Sequence, residues 1–400
     1  MDAKNFFLKH LAQTSPYPLG IEIERAEGSM IYGSNGKTYL DLISGIGVSN
    51  LGHGNEHIKN AIKAQVDKHL HVMVYGEFIQ SAQNTLAAEL KTTLPSSLHS
   101  FYFVNSGTEA NEAALKLAKR YTGRGNIISF KNSYHGNTHG SLSVSGNELK
   151  KNAFRPLLPG VRFLTFNKVE ELQKIDTDTA CVIMETVQGD AGVRIPDVKF
   201  MQELRKRCDE TGALLILDEV QCGMGRSGKM WAFEHFGILP DILTMGKALG
   251  GGMPIGCFAS SQEIMLSLSD NPKLGHITTF GGHPVVCAAA AAGLQVLEKE
   301  RLLQEVDRKA ELFRRQLDHA EIKDYRHLGL MMAVELENAE KVEYLVKRCL
   351  QEGVLIYWFL STPNAFRLAP PLNISDEEIK VGCEVIVRGM EELKRNTIPL

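Results

Sequence analysis

The chain has 400 residues, 44% apolar and 23% charged, enough to bury a large core and to build one big domain with a smaller companion. Its net charge of −3, with both signs interspersed and no basic block, argues against nucleic-acid and anionic-membrane partners. Seven scattered cysteines without a CxxC pair argue against a disulfide framework and a zinc site, and for a reducing cytoplasm. The first twenty residues show no signal-peptide pattern, and the apolar, alanine-rich run 285–296 is too short to span a membrane.

Turn residues punctuate the first fifty positions. Asn35-Gly36 between apolar-alternating flanks predicts a hairpin over 29–42. The glycine-rich stretch 41–54 predicts a close-packed loop, and a helical period starts at Glu56. Strands are then predicted over 101–104, 127–130, 181–184, 214–217 and 242–245, with helices over 109–121 and 201–210 between them. That alternation means a mostly parallel sheet with crossover helices. Past Pro284 a long helical region to about 320 precedes short strands (331–336, 354–358, 365–368) and a final helix from Ser375. This suits a separate α+β lobe joined by the N-terminal hairpin. The large domain is placed at 51–290, and the small one at 1–50 together with 291–400.

Two strand ends carry the chemistry. The run 214–217 ends in Asp218 and Glu219, and the run 242–245 ends in Gly246-Lys247. Ligands of open α/β sheets sit at the carboxyl ends of strands, so this acid and this lysine can share one crevice. A buried lysine beside a buried acid is costly without a task. Pyridoxal phosphate (PLP) uses such a pair: its aldehyde takes a lysine and its pyridine nitrogen takes a carboxylate. Singly, each residue reads first as an edge-of-strand acid or an exposed lysine, and only the pair points to this chemistry. The segment 105–111 (NSGTEAN) opens a helix after a strand, where Gly107 and Thr108 offer a phosphate cradle or merely an N-cap. Tyr134 ends another strand and can lie flat on a ring or pack the core rim. Val220 and Gln221 follow the acid pair and offer an apolar face and a donor. Thr278 and Thr279 supply hydroxyls in a glycine-bearing loop. Arg367 stands in a strand-like apolar setting suited to bidentate carboxylate capture, or lies at the surface.

From about Tyr17 to the segment RLAPPL at 367–372, the chain resembles the class III aminotransferases of the acetylornithine and ornithine group. The motifs that carry the resemblance are NSGTEANEAALKLAKR, SYHGNT, ETVQGDAG, LILDEVQCGMGRSGK, ILTMGKALGGGMPIG and TTFGGHP. It implies the type I PLP fold, with a large domain on a mostly parallel sheet and a smaller α+β domain. It also implies a homodimer with shared active sites. Carried over, Lys247 is the lysine that condenses with the cofactor and Asp218 the partner of its ring nitrogen. Gln221 reaches the phenolic oxygen, Val220 and Tyr134 sandwich the ring, and Gly107 with Thr108 holds the phosphate. Thr279 reaches the neighbouring subunit's phosphate. Arg367 takes the substrate α-carboxylate, with Glu185, Gln188 and Asp190 near it and Asn137 and Thr278 also lining the substrate side. No metal is implied.

The expected reaction moves an amino group from an amino acid or ω-amine to a 2-oxo acid, with 2-oxoglutarate as the expected co-substrate. A related aminomutase or decarboxylase, or a catalytically silent PLP-binding protein, is the alternative. The sequence departs from the family where substrate is chosen. The family's usual arginine after the YHG step, which grips a carboxylate, is Asn137 here. Thr186 replaces a usual proline, Asp190 a usual glutamate and His283 a usual asparagine.

Overall fold

The computed structural model describes residues 3–395, which three sheets organise. Strands β1 (Ile23–Glu27), β2 (Met30–Gly33) and β3 (Thr38–Asp41) form an antiparallel meander. The Asn35-Gly36 turn joins β2 to β3, with Gly36 at φ +77°, where a side chain is disfavoured. The central sheet contains β4 (Ser100–Val104), β5 (Asn126–Phe130), β6 (Val161–Leu164), β7 (Thr179–Glu185), β8 (Leu214–Asp218), β9 (Ile242–Gly246) and β10 (Gly256–Ser260). Its spatial order is β4-β10-β9-β8-β7-β5-β6. Neighbours from β9 through β6 run parallel, and β10 alone opposes its neighbours β4 and β9.

Every residue of β7, β8 and β9 is buried, because helices cover both faces of the sheet. On one face Ile183, Ile216 and Ile242 pack with Ala113, Ala114 and Leu117 of the Gly107–Thr122 helix. On the other, Met184, Leu217 and Met245 pack with the Val198–Thr211 and Pro284–Lys299 helices. The period-2 alternation of a strand thus assigns each apolar side chain to one of two layers.

The C-terminal region adds β11 (Asp324–Leu328), β12 (Met331–Glu335), β13 (Val354–Leu355), β14 (Tyr357–Trp358) and β15 (Ala365–Leu368). The third sheet runs β11-β12-β15-β14, whereas β13 pairs in parallel with β3 and ties the C-terminal region to the N-terminal meander. The strand expected over 354–358 is therefore split between two sheets at Ile356. The helix expected over 285–320 is also two helices, Pro284–Lys299 and Leu303–Gln316, broken where Arg301 takes φ +52°. Arg226, fully buried, donates to the carbonyls of Leu330 (3.0 Å) and Pro370 (2.6 Å) and to the Asn50 side chain, pinning three distant segments together. Among the described residues no helix is long and apolar enough to cross a membrane.

Candidate active site

The parallel register of the central sheet sets Glu185 of β7 opposite Asp218 of β8, and Asp218 opposite Thr244 of β9. Paired residues point to the same face, so these three side chains emerge together beneath the Gly107–Thr122 helix. Lys247 follows β9 by one residue, past Gly246, at φ +45°. A left-handed conformation costs a non-glycine residue about 1–2 kcal/mol, and here the surrounding core holds it. The Lys247 side chain hydrogen-bonds to none of the described residues, and the residue is only part-buried. Burial pulls its ammonium below the ordinary lysine range, Asp218 and Glu185 pull it back up, and Arg367 adds to the lowering.

Asp218 is buried and held from three sides. Its Oδ2 accepts from Asn111 Nδ2 and His135 Nδ1, both at 2.7 Å, and its Oδ1 accepts from the Val220 amide at 3.0 Å. Asn111 is itself fixed, donating to the His135 carbonyl (2.8 Å) and accepting from Thr244 Oγ1 (2.7 Å). Remaining acceptor capacity lies on Oδ1, which carries only one donor.

The helix start facing this acid has free donors. Ser106 caps it by accepting from the Glu109 amide at 3.2 Å, while the amides of Gly107 and Thr108 bond to no described residue. Thr108 Oγ1 lies 2.7 Å from Ser141 Oγ and 3.2 Å from Thr138 Oγ1, which clusters hydroxyls beside those amides. Gly107 is required by packing: a Cβ there would lie 2.5 Å from Val220 Cγ1. At Gly136 a Cβ would fall 2.0 Å from Thr108 Oγ1, so that glycine keeps the cradle open to its hydroxyl.

Tyr134 leaves its ring half-exposed while its amide donates to Glu185 Oε1 at 2.8 Å. The other Glu185 oxygen accepts from the Gly189 amide at 2.9 Å, and burial pushes its carboxyl up to about 7. Gln221 sits against the same loop, where any Cβ on Gly189 would strike its Oε1.

Arg367 of β15 is buried, with Phe359 stacked 4.4 Å below its guanidinium and Asp190 Oδ1 3.5 Å from Nη2. Its Nε has no partner among the described residues. Asp190 also accepts from the Leu360 amide (3.1 Å), Ser361 Oγ (2.6 Å) and Lys150 Nζ (2.5 Å). Burial works to raise the Asp190 carboxyl, but Lys150, Ser361 and Arg367 together hold it below the usual range. Gln188 turns away, donating to the Lys131 carbonyl at 3.0 Å. Asn137 is exposed and lines a cavity of about 350 Å³ with Tyr134, Lys150 and Ser361. Thr278 Oγ1 accepts from Asn105 Nδ2 (3.1 Å) beside the helix start. Thr279 is exposed, and its carbonyl accepts from His71 Nε2 at 2.9 Å.

Three residues of this constellation carry no role in the sequence reading: Asn111, His135 and Lys150. Asn111 had a legible signal, a polar residue among alanines on the buried face of a helix. His135 and Lys150 had none, since their partners are 83 and 40 positions away.

A lysine and an acid at adjacent parallel strand ends, facing a helix N-terminus with unbonded amides, define a PLP-dependent transferase of the type I fold. The chain belongs to the class III aminotransferases: the family model Aminotransferase class-III matches residues 11–390. It is 39% identical over 381 residues to the acetylornithine aminotransferase of Archaeoglobus fulgidus, covering 95% of this chain and 98% of that one. It is 40% identical over 378 residues to the [LysW]-aminoadipate semialdehyde/glutamate semialdehyde transaminase of Sulfurisphaera tokodaii, covering 93% and 95% of the two chains. Among solved structures, the ornithine aminotransferase of Toxoplasma gondii ME49 superposes with a TM-score of 0.90 at 26% identity, covering 98% of this chain and 94% of that one. Amino-group transfer is the activity of this family and PLP its cofactor. The residues present fit the group: unbonded amides and hydroxyls for a phosphate, a spare carboxylate lone pair for a ring nitrogen, and an unbonded lysine amine between them.

Proposed function

We propose that Lys247 and Asp218 carry the amino transfer, with a donor bearing a terminal or α-amine and glutamate/2-oxoglutarate as the co-pair. The observation that supports this most is the unbonded Lys247 amine one residue beyond the strand beside Asp218. When bound, PLP supplies an aldehyde that takes up the amine and a ring that withdraws electrons from the reacting carbon. Lys247 Nζ takes the proton from the amine-bearing carbon and gives it back on the cofactor side. The burial that lowers its basicity also keeps a share of it neutral and able to act as a base. Asp218 holds negative charge at the ring nitrogen, where Asn111 and His135 fix its orientation. Tyr134 and Val220 would hold the ring between them, and Gln221 would serve its phenolic oxygen. Gly107 and Thr108 would hold the phosphate through their unbonded amides and the Thr108 hydroxyl. Glu185 anchors the Tyr134 backbone, Arg367 takes the α-carboxylate, and Asn137 and Thr278 border the substrate. Similar chains named for acetylornithine, ornithine and aminoadipate semialdehyde support a donor with its reacting nitrogen at the end of an aliphatic chain. A screen that follows loss of the enzyme's visible cofactor band with ornithine, N-acetylornithine, 4-aminobutyrate, lysine and simple amines tests the reading. Formation of glutamate from 2-oxoglutarate with one of these donors is expected, and none with any of them would sink it.

The working unit in this proposal is a homodimer in a reducing cytoplasm. All seven cysteines are buried and unpaired, which suits that compartment. The Thr279 loop is bonded to the 71–80 segment through His71, and the two expose Val72, Met73, Phe78, Ile79 and Phe280. Ile79 is 93% exposed, so water faces an apolar patch that a second copy would cover. Thr279 would then reach the partner's phosphate. Sedimentation should give twice 44.3 kDa, and Ile79→Glu should shift the mass toward the monomer with loss of transfer. A monomeric, fully active wild type refutes the shared site.

A further inference from the structure

We propose that Lys150 is the group that binds a second substrate carboxylate, so that a donor or acceptor carrying two carboxylates is the one this site selects. This rests on the transaminase reading above and deepens it. Asn137 brings no charge to the cavity wall, but Lys150 lines the same cavity of about 350 Å³. Its ammonium lies 5.8 Å from the centroid of the Tyr134 ring and 2.5 Å from Asp190 Oδ2.

The charge arrangement is what points to an anion. Asp190 is one carboxylate contacted by two cations, Lys150 through Oδ2 and Arg367 through Oδ1. Ser361 and the Leu360 amide also draw on it, so its acceptor capacity is shared four ways. Arg367 is left with an unpartnered Nε and a long 3.5 Å contact. Among the described residues Lys150 makes one side-chain hydrogen bond from an ammonium with three donors, and that side chain, 28% exposed, lines the cavity. Two under-neutralised cations on one acid leave the pocket one positive charge in excess, apart from Glu185. A second carboxylate arriving beside Tyr134 would take the free Lys150 donors and neutralise the excess charge, whereas a carboxamide oxygen would accept without charge and a hydrogen not at all. Lys150 sits on the short Glu148–Lys151 helix, thirteen positions past Asn137, so no local motif announces it.

The test uses the full-length, PLP-loaded enzyme and two matched pairs: glutamate against glutamine, and 2-aminoadipate against its 6-amide. Within each pair only the second carboxylate changes. The readout is the ratio of kcat/KM values inside a pair. The wild type is expected to favour the carboxylate-bearing member. Lys150→Met should shrink that ratio tenfold or more, Lys150→Arg should keep it, and adding Asn137→Arg to Lys150→Met should restore it. A ratio unchanged in Lys150→Met overturns the proposal, and so does an equal loss for both members, because Lys150 would then only hold Asp190 in place. An intact visible cofactor band in each variant separates these outcomes from misfolding. A wild type that transfers from glutamate with a preference blind to Lys150 overturns this inference alone. A wild type inert toward both carboxylate-bearing donors overturns the functional reading together with it.

Discussion

Lys247→Ala is expected to lower turnover by about 10⁴-fold or more, at the upper end of what a positioned acid–base group contributes. Two losses coincide in this variant: the amine that links to the cofactor and the base that moves the proton. Its environment explains why no neighbour substitutes. The amine is the one lysine nitrogen at the ends of β8 and β9, and the cation whose charge reaches it, Arg367, is a guanidinium with no lone pair to act as a base. The visible band of the lysine-linked cofactor should disappear while PLP remains bound through the Gly107–Thr108 end. Added small alkylamines should restore part of the turnover, because a freely diffusing base can enter the opening that the side chain leaves. Turnover within tenfold of wild type, measured as glutamate formed from 2-oxoglutarate, is incompatible with the assignment.

The parts of this architecture legible in the sequence are those whose cause is local. The strands β7, β8 and β9 announce themselves as unbroken apolar runs because helices cover both faces of each. The hairpin turn at Asn35-Gly36 is equally local. By contrast β10 escapes, since GCFAS is short, glycine-bearing and follows a glycine tail, and only pairing with β4 and β9 makes it a strand. The same holds for β13 and β14, two-residue strands whose division between sheets depends on β3 and β15. At the site, Asp218 and Lys247 are visible because each ends an apolar run. What steadies Asp218 is only half visible: Asn111 stands out as a polar residue on an alanine face, but that its partner lies 107 positions later, and that His135 joins it from 83 positions away, is decided by packing. Arg367 reads as readily as a surface arginine until Asp190, 177 positions away, is set against it. Sequence spacing encodes the elements, and tertiary packing decides which polar side chains meet.

Asp218→Asn separates two roles of that carboxylate. The variant keeps size and shape, and its amide oxygen can take the Oδ2 place, still accepting from Asn111 and His135. Its NH₂ then occupies the Oδ1 place, where the Val220 amide already points a donor at 3.0 Å. Two donors face each other there, and the group presented to the ring nitrogen becomes an N–H in place of a lone pair. The ring nitrogen loses the charge that keeps it protonated, and with it the electron withdrawal that stabilises the reacting carbon. Turnover should fall about 10²–10³-fold, the range for loss of one preorganised polar contact at developing charge. Cofactor affinity should weaken far less, since the phosphate end is untouched. Asp218→Glu retains the charge but displaces it, and should recover only part of the loss. If Asp218→Asn instead lowers stability or cofactor affinity while turnover of the loaded enzyme stays within threefold of wild type, Asp218 is a packing acid. The ring nitrogen would then take its proton from elsewhere.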